Sequence, residues 1–196
     1  MTDMHWLMIL FIGIASSIDN FAVGLSYGTK GKKITYTANL FIAFIAFIIA
    51  DAALIAGKSL GMALPKTLPE ILGGAIILLI GLWSLGDTIK NRSAAAMPEA
   101  EDIDRNQDNL IEIGEVFFLG IALSLNAMGT AFGAGMGGLP PLLVAGFVSI
   151  LSFLSVGCGQ WLGLKGMRSN IGKASEYLAA CLMITIGIYS IVSSSM

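Results

Sequence analysis

Oxygen-bearing side chains interrupt two similar apolar stretches of this sequence. Asp19 and Asn20 stand in "SSIDNFAVG" (residues 16–24), and Asn126 stands in "LSLNAMGTA" (residues 123–131). An ionised Asp at the centre of a bilayer costs about 2.5–3.5 kcal/mol on insertion scales, so such a residue usually faces a polar interior and has a function. Carboxylate and amide oxygens without His or Cys favour hard cations such as Mn²⁺, Mg²⁺ or Ca²⁺.

These residues predict a metal site built from oxygen ligands. We predict that Asp19 is the principal ligand, that Asn126 is a neutral oxygen ligand, and that the neighbouring Asn20 belongs to the same candidate set. Asp51, in another apolar stretch, is predicted to be an accessory ligand or a proton carrier. The alternative for Asp51 is a protonated carboxyl group that bonds to a neighbouring helix.

The composition indicates where these residues lie. Of 196 residues, 56% are hydrophobic and only 12% are charged, whereas a soluble domain carries about 25% charged residues. A bilayer core of about 30 Å needs roughly 20 apolar residues in a helix. Six stretches meet that requirement and are predicted to span the membrane: about 5–27, 35–60, 69–89, 115–136, 141–163 and 174–193.

The basic residues predict the orientation. The loops after the first, third and fifth helices carry Lys30, Lys32, Lys33, Lys90, Arg92, Arg105, Lys165, Arg168 and Lys173. The opposite side carries only Lys58 and Lys66. Because cytoplasmic loops are enriched in Lys and Arg, we predict a multi-pass plasma membrane protein with both termini outside the cytoplasm.

The chain also repeats itself. "GIASSIDNFAVG" at 13–24 aligns with "GIALSLNAMGTA" at 120–131, which places Asp19 opposite Asn126. Three spans in each half force the halves into opposite orientations, and such an inverted repeat is typical of transporters with a site near the midplane. We therefore predict an all-α integral membrane protein of six transmembrane helices in an inverted 3+3 repeat.

This repeat divides the chain into three parts. The first three-helix repeat covers residues 1–90, a cytoplasmic loop covers 91–114, and the second repeat covers 115–196. Glycines spaced four residues apart predict close helix crossings; they are Gly24/Gly28, Gly57/Gly61, Gly129/Gly133/Gly137 and Gly159/Gly163.

The loop contains a second candidate metal site. "DRNQDNLIEIGE" (104–115) resembles an EF-hand calcium loop, whose ligands would be Asp104, Asn106, Asp108, Leu110 through its carbonyl, Glu112 and Glu115. Asn109 replaces the usual Gly at position six, and Asn tolerates the left-handed conformation required there. The alternative is an acidic, solvated linker.

The paired motifs resemble those of the MntP-type manganese efflux family, within the LysE-like exporter superfamily. The nearest resemblance is to its YtaF-type branch of sporulation membrane proteins, and it covers essentially the whole chain. It implies a six-helix transporter with an Asp in both motifs and an acidic residue where Asp51 stands. This sequence has Asn126 in place of the second Asp, which removes one negative charge.

Together these features predict a secondary transporter that exports a divalent cation, with Mn²⁺ as the expected substrate and Ca²⁺ as a candidate ligand of the loop. No nucleotide-binding motif and no Ser/His, Cys/His or HExxH arrangement occurs in the sequence, so neither ATP-driven transport nor an enzyme is expected. The expected partners are the lipid bilayer and divalent cations, without nucleic acid, and a homodimer is left open. The alternatives are a non-transporting sporulation-type scaffold or ion sensor and, by superfamily analogy alone, an amino-acid exporter.

Overall fold

The computed structural model describes residues 3–65, 68–90, 103, 109–165, 177, 180–181, 184–186, 188–189 and 191–192. The described residues form helices α1 (Asp3–Thr29), α2 (Tyr36–Met62), α3 (Leu68–Ile89), α4 (Val116–Met136) and α5 (Pro141–Leu164). They also form two short strands, β1 (Lys33–Ile34) and β2 (Leu110–Ile111). The described residues from 177 onward are helical, and the rest of the predicted sixth helix lies outside the described part.

The first five helices begin and end within a few residues of the predicted bounds. The Thr35 hydroxyl accepts a hydrogen bond from the backbone N–H of Ala38 and so caps the start of α2. Pro141 occupies the first turn of α5, where its missing N–H costs nothing. Gly31, with φ 76°, makes the turn after α1. Local sequence signals therefore determine these bounds.

Within the described residues, three helical segments are long and apolar enough to cross a membrane: Met8–Thr29, Tyr36–Met62 and Pro141–Leu164. The segments Val116–Leu125 and Ala127–Met136 of α4 are bent by 43° and make a fourth span if taken together. The apolar part of α3 is shorter. The chain is thus a mostly helical, multi-pass membrane protein, and the number of six spans stays a prediction.

Glycine contacts give the direction in which the helices run. A Cβ added at Gly24 would overlap the backbone carbonyl of Val156, and one added at Gly28 would overlap that of Gln160. Residue numbers therefore rise together along α1 and α5, and the two helices are parallel. Because Gly163 in turn meets the carbonyl of Leu25, the two backbones touch along this crossing, as the glycine spacing predicted.

Helices α2 and α4 are also parallel, since Gly120 faces Ile45 and Gly57 faces the carbonyl of Phe132. Helices α2 and α5 are antiparallel, because Asn39 bonds to Phe153 whereas Ala43 bonds to Ser149. It follows that α1 and α4 run in opposite directions.

Two buried apolar clusters fill the space between the helices. The strand-end cluster includes Ile34 and Ile111 of the two strands, together with Val23, Tyr27, Ala38, Ile42, Ile103, Val116, Leu119, Leu123 and Val156. The far-end cluster is formed by Ile9, Ile12, Ala15, Ala50, Ala53, Leu54, Ile77, Ala127, Ala131, Ala134, Leu139, Val144, Ala145, Val148 and Ile186. On α1, α4 and α5, each cluster occupies a separate part of the helix.

The two strands are the one departure from the predicted all-α fold within the described residues. They pair in parallel, with Lys33 opposite Leu110 and Ile34 opposite Ile111. The backbone N–H of Thr35 donates to the carbonyl of Ile111 (3.0 Å). The pairing joins the α1–α2 loop to the segment before α4, because both lie at the same end of the helices.

Candidate metal site in a polar layer

Polar side chains lie between the two apolar clusters on three helices. On α1 they follow Ala15 and precede Val23; on α4 they follow Leu123; and on α5 they follow Val148. We call this set the polar layer, and its described side chains are Ser16, Ser17, Asp19, Asn20, Ser124, Ser149 and Ser152. With apolar clusters on both sides, the layer is an internal zone where a cation can find oxygen ligands away from hydrocarbon.

Asn20 has the clearest ligand geometry in the polar layer. Its side chain is 3% exposed, and its Nδ2 donates to Ser152 Oγ at 2.7 Å. Its Oδ1 is buried and has no hydrogen-bond partner within the described residues. A buried acceptor without a partner costs about 1–3 kcal/mol. Such an oxygen suits a hard cation, which takes amide carbonyls as ligands.

Asp19 precedes Asn20 on α1 and is half-buried. Within the described residues, no group of three or more His, Cys, Asp or Glu side chains is arranged to hold a metal ion. Among the described side chains of the polar layer, Asp19 is the carboxylate and the others are neutral, and carboxylate and neutral oxygens together suit a hard divalent ion.

Asn126 lies at the 43° bend of α4, between Leu125 and Ala127; its side chain lies outside the described part of the structure. Two residues earlier, Ser124 Oγ donates to the carbonyl of Gly120 at 2.6 Å, a bond of the kind that often bends a helix. Helices interrupted near the midplane commonly line transporter sites. Along α4, Asn126 follows Leu123 of the strand-end cluster and precedes Ala127 of the far-end cluster.

Asp51 lies on α2 beside the far-end cluster. It is half-buried and follows Ala50, which belongs to that cluster. The contacts of Gly57 and Gly120 between the parallel helices α2 and α4 put Asp51 at about the height of Asn126. A direct or accessory role of Asp51 stays a prediction.

Only part of the EF-hand-like loop is described, since Asp104, Asn106 and Asp108 lie outside the described residues. Asn109 has φ 64°, the left-handed conformation expected at position six. The backbone N–H of Glu112 donates to Glu115 Oε2 at 3.2 Å. Leu110 lies in β2 and Glu115 directly precedes α4. The backbone turn agrees with the motif, and metal binding by this loop stays a prediction.

Two polar residues of α5 were not singled out from the sequence. Ser152 is fully buried against Asn20, and Ser149 Oγ donates to the carbonyl of Ala43 at 2.9 Å. Their signal was present, because serines three residues apart in an apolar helix lie on the same face. Asn39 of α2 was also missed, although it is a polar residue near the start of an apolar helix.

This chain has apolar helices long enough to cross a bilayer and a polar layer between two apolar clusters. These features are those of multi-pass helical membrane proteins with an internal polar site. Residues 1–85 match the Mntp family model, described as "Putative manganese efflux pump". Over 96% of its length, the chain is 29% identical to the full length of "Probable sporulation protein YtaF" of Bacillus subtilis.

Two further relatives bear the family model's description with the name MntP. The protein of Clostridium tetani is 26% identical over 94% of this chain and 97% of its own length. That of Methanoregula boonei is 35% identical over 45% of this chain and 47% of its own length. No solved structure matches the chain. The predicted resemblance to the MntP/YtaF-type proteins is confirmed by these matches.

Proposed function

We propose that this chain is a secondary transporter that exports a divalent metal cation, with Mn²⁺ as its substrate. One observation carries the proposal: Asp19 adjoins Asn20, whose buried Oδ1 has no partner within the described residues, in a polar layer between two apolar clusters. The efflux-pump description of the relatives supports export, and the oxygen donors support a hard cation.

An inverted repeat would explain how the site opens to each side in turn. Helices α1 and α4 run in opposite directions. Each contains the same kind of hydrogen bond, from a serine hydroxyl to the carbonyl of a glycine four residues earlier, at equivalent positions of the aligned motifs. Ser17 Oγ donates to the carbonyl of Gly13 at 2.7 Å, as Ser124 does to that of Gly120. Equivalent structure in oppositely oriented halves supports alternating access by movement of one half against the other.

In this proposal the cation loses part of its water shell and binds the carboxylate of Asp19, with Asn20 and Asn126 as neutral oxygen ligands. Asp51 acts as an accessory ligand or proton carrier. The energy comes from an ion gradient or from the membrane potential, since the sequence contains no nucleotide-binding motif. If Asp51 carries the proton, the single negative charge of Asp19 binds the ion weakly enough to release it on the far side.

The orientation and location are part of the same proposal. Lys30, Lys32 and Lys33 lie beside the two strands, and Lys165 follows the end of α5 at the same end of the bundle. Lys58 lies in the last part of α2, toward the other end. Basic residues at the strand end support a plasma membrane protein with this end in the cytoplasm and both termini outside.

We further propose that the EF-hand-like loop regulates transport. Cytoplasmic Ca²⁺ or Mn²⁺ would bind Asp104, Asn106, Asp108, the carbonyl of Leu110, Glu112 and Glu115. Because Glu115 directly precedes α4, binding would shift the helix that carries Asn126.

Glu115→Gln should weaken divalent binding to the purified full-length protein at the loop by about tenfold or more, since Glu at position twelve supplies two oxygens at once. Isothermal titration with Ca²⁺ and Mn²⁺ measures this effect. Glu112→Gln is the matched control and should weaken binding less, because position nine often binds through water. Equal binding by Glu115→Gln and the unmodified protein would show that the loop is a linker.

A second candidate function is a non-transporting membrane scaffold or ion sensor. It is favoured by the match to the full length of a protein named for sporulation and by Asn126, which leaves the site with half of the charge pair implied by the resemblance. In this case the polar layer would bind an ion without moving it.

Flux into proteoliposomes separates the two functions. With a panel of divalent cations, with and without a pH gradient, we expect saturable Mn²⁺ flux from the unmodified protein. Asn126→Asp should bind Mn²⁺ about tenfold more tightly, because a second carboxylate replaces a neutral ligand. If only Asn126→Asp transports ions, the natural chain is a scaffold or sensor. If neither transports any ion of the panel, the transporter proposal is wrong.

A further inference from the structure

A second buried amide lies on the strand-end side of the polar layer. Asn39 of α2 is 6% exposed, and its neighbour Ala38 belongs to the strand-end cluster. Its Nδ2 donates to the backbone carbonyl of Phe153 at 2.9 Å. Its Oδ1 is buried and has no hydrogen-bond partner in the described part of the chain.

The bond to Phe153 fixes which end of the Asn39 amide is free. A backbone carbonyl only accepts hydrogen bonds, so the Nδ2 group must face it and Oδ1 must point away. The space beside this bond is provided by Gly157, where an added Cβ would lie 3.5 Å from Asn39 Nδ2. A fixed, buried carbonyl oxygen without a partner is the feature already seen at Asn20.

Helix α5 holds both amides at almost the same height. Asn20 bonds to Ser152 and Asn39 bonds to the next residue, Phe153. Consecutive helical residues differ by about 1.5 Å in height and point about 100° apart. Asn39 therefore approaches α5 from the α2 side, whereas Asn20 approaches it from the α1 side.

Two further polar contacts lie along the side of α5 that meets β1 and α2. The backbone N–H of Ile34 donates to Gln160 Oε1 at 2.8 Å, two turns of α5 from Phe153. In the other direction, Ser149 Oγ donates to the carbonyl of Ala43. Polar groups thus occur at the strand end and again at the level of Asp19, with the buried Val156 between them on α5.

We propose that Asn39 Oδ1 is a cation-binding oxygen on the cytoplasmic approach to the Asp19 site, and that the ion enters along the contact between α2 and α5. This inference rests on the proposed transport function. A neutral amide oxygen replaces one water of a hard divalent ion without holding it tightly, so it lowers the ion concentration needed for entry. It leaves the later steps at Asp19 unchanged.

Inverted membrane vesicles, which expose the cytoplasmic face, test this role with the full-length protein. The initial rate of Mn²⁺ entry is followed by quenching of a trapped fluorophore over a range of Mn²⁺ concentrations. Asn39→Leu should raise the KM for Mn²⁺ about tenfold, with a maximal rate that is little changed. If the Asn39→Leu protein does not reach the membrane, the same measurement is made with Asn39→Ala.

Two further variants separate ligand binding from packing. Tyr36→Leu removes a ring contact between α2 and Phe153 of α5 that lies outside the polar layer, and it should leave the KM within about twofold of the unmodified value, because it removes no buried oxygen. Asn39→Asp cannot donate to Phe153 as a carboxylate but keeps its oxygens, so its KM should not rise.

The inference is overturned if Asn39→Leu has the KM of Tyr36→Leu, or if Asn39→Asp is as impaired as Asn39→Leu. Asp19→Asn is included so that the two proposals are tested separately. If the unmodified protein transports Mn²⁺ and Asp19→Asn does not, the proposed transport function is supported, whatever the result for the Asn39 variants. Absence of Mn²⁺ entry with the unmodified protein overturns both proposals.

Discussion

Replacing Asp19 with alanine should abolish the Mn²⁺ resistance that the proposed transport function predicts for cells that express this protein in place of their own manganese exporter. Asp19 supplies the principal negative charge of the proposed site, and Asn20 and Asn126 are neutral. Without it, the cation would exchange its water shell for amide and hydroxyl oxygens alone, which does not offset the dehydration of a divalent ion. Growth in excess Mn²⁺ and the cell-associated Mn²⁺ content measure the effect.

Asp19→Asn and Thr29→Ala are the controls for this prediction. Asp19→Asn keeps the shape of the side chain and removes only the charge, so it should fail as completely as Asp19→Ala. Thr29→Ala changes an exposed residue at the end of the same helix, outside the polar layer, and should retain the resistance. Full resistance in Asp19→Asn, at equal protein amounts in the membrane, would refute the assignment of Asp19 as the principal ligand.

Gly159→Ala should destabilise the protein strongly, by about 3 kcal/mol, because overpacking costs of this order arise when neighbours cannot move away. The added Cβ would overlap the carbonyl of Phe21 and would lie 2.9 Å from the backbone N of Leu25. Backbone atoms of α1 cannot rotate away as a side chain can. The unfolding free energy of the purified protein in detergent, or its thermal midpoint, measures the loss.

Gly146→Ala is the matched control, since it makes the same chemical change in the same helix. An added Cβ at Gly146 meets nothing within 4 Å. Because Ala favours the helix over Gly by about 1 kcal/mol in soluble hosts, this variant should be neutral or slightly more stable. Equal stability of the two variants would mean that α1 and α5 do not cross with their backbones in contact.

Most of the fold could be predicted from the sequence because its signals are local. Apolar length predicted the helices, and glycines four residues apart predicted close helix crossings, of which that of α1 and α5 is one. The β1–β2 pairing could not be predicted, since two-residue strands carry almost no periodic signal. They form only because the fold brings two distant loops to the same end of the helices.

The candidate site was predictable in part. Asp19 and Asn20 stand out, since charged and amide groups are rare in apolar helices and need a reason to be there. Ser152 was missed because serine is common in apolar helices, and Asn39 was missed because it stands in the first turn of α2, where a polar residue is ordinary. Their role depends on which helix faces them, and this is tertiary information that a single sequence does not contain.

The pairing of β1 with β2 has a mechanical consequence. Strand β1 follows α1, and strand β2 precedes α4. Their pairing therefore connects the first helix of each predicted repeat. Gln160 of α5 adds a third attachment through Ile34. Because these hydrogen bonds hold the strand end of the helices together, movement of one predicted repeat against the other would be smallest there. It would be largest at the opposite end of the helices.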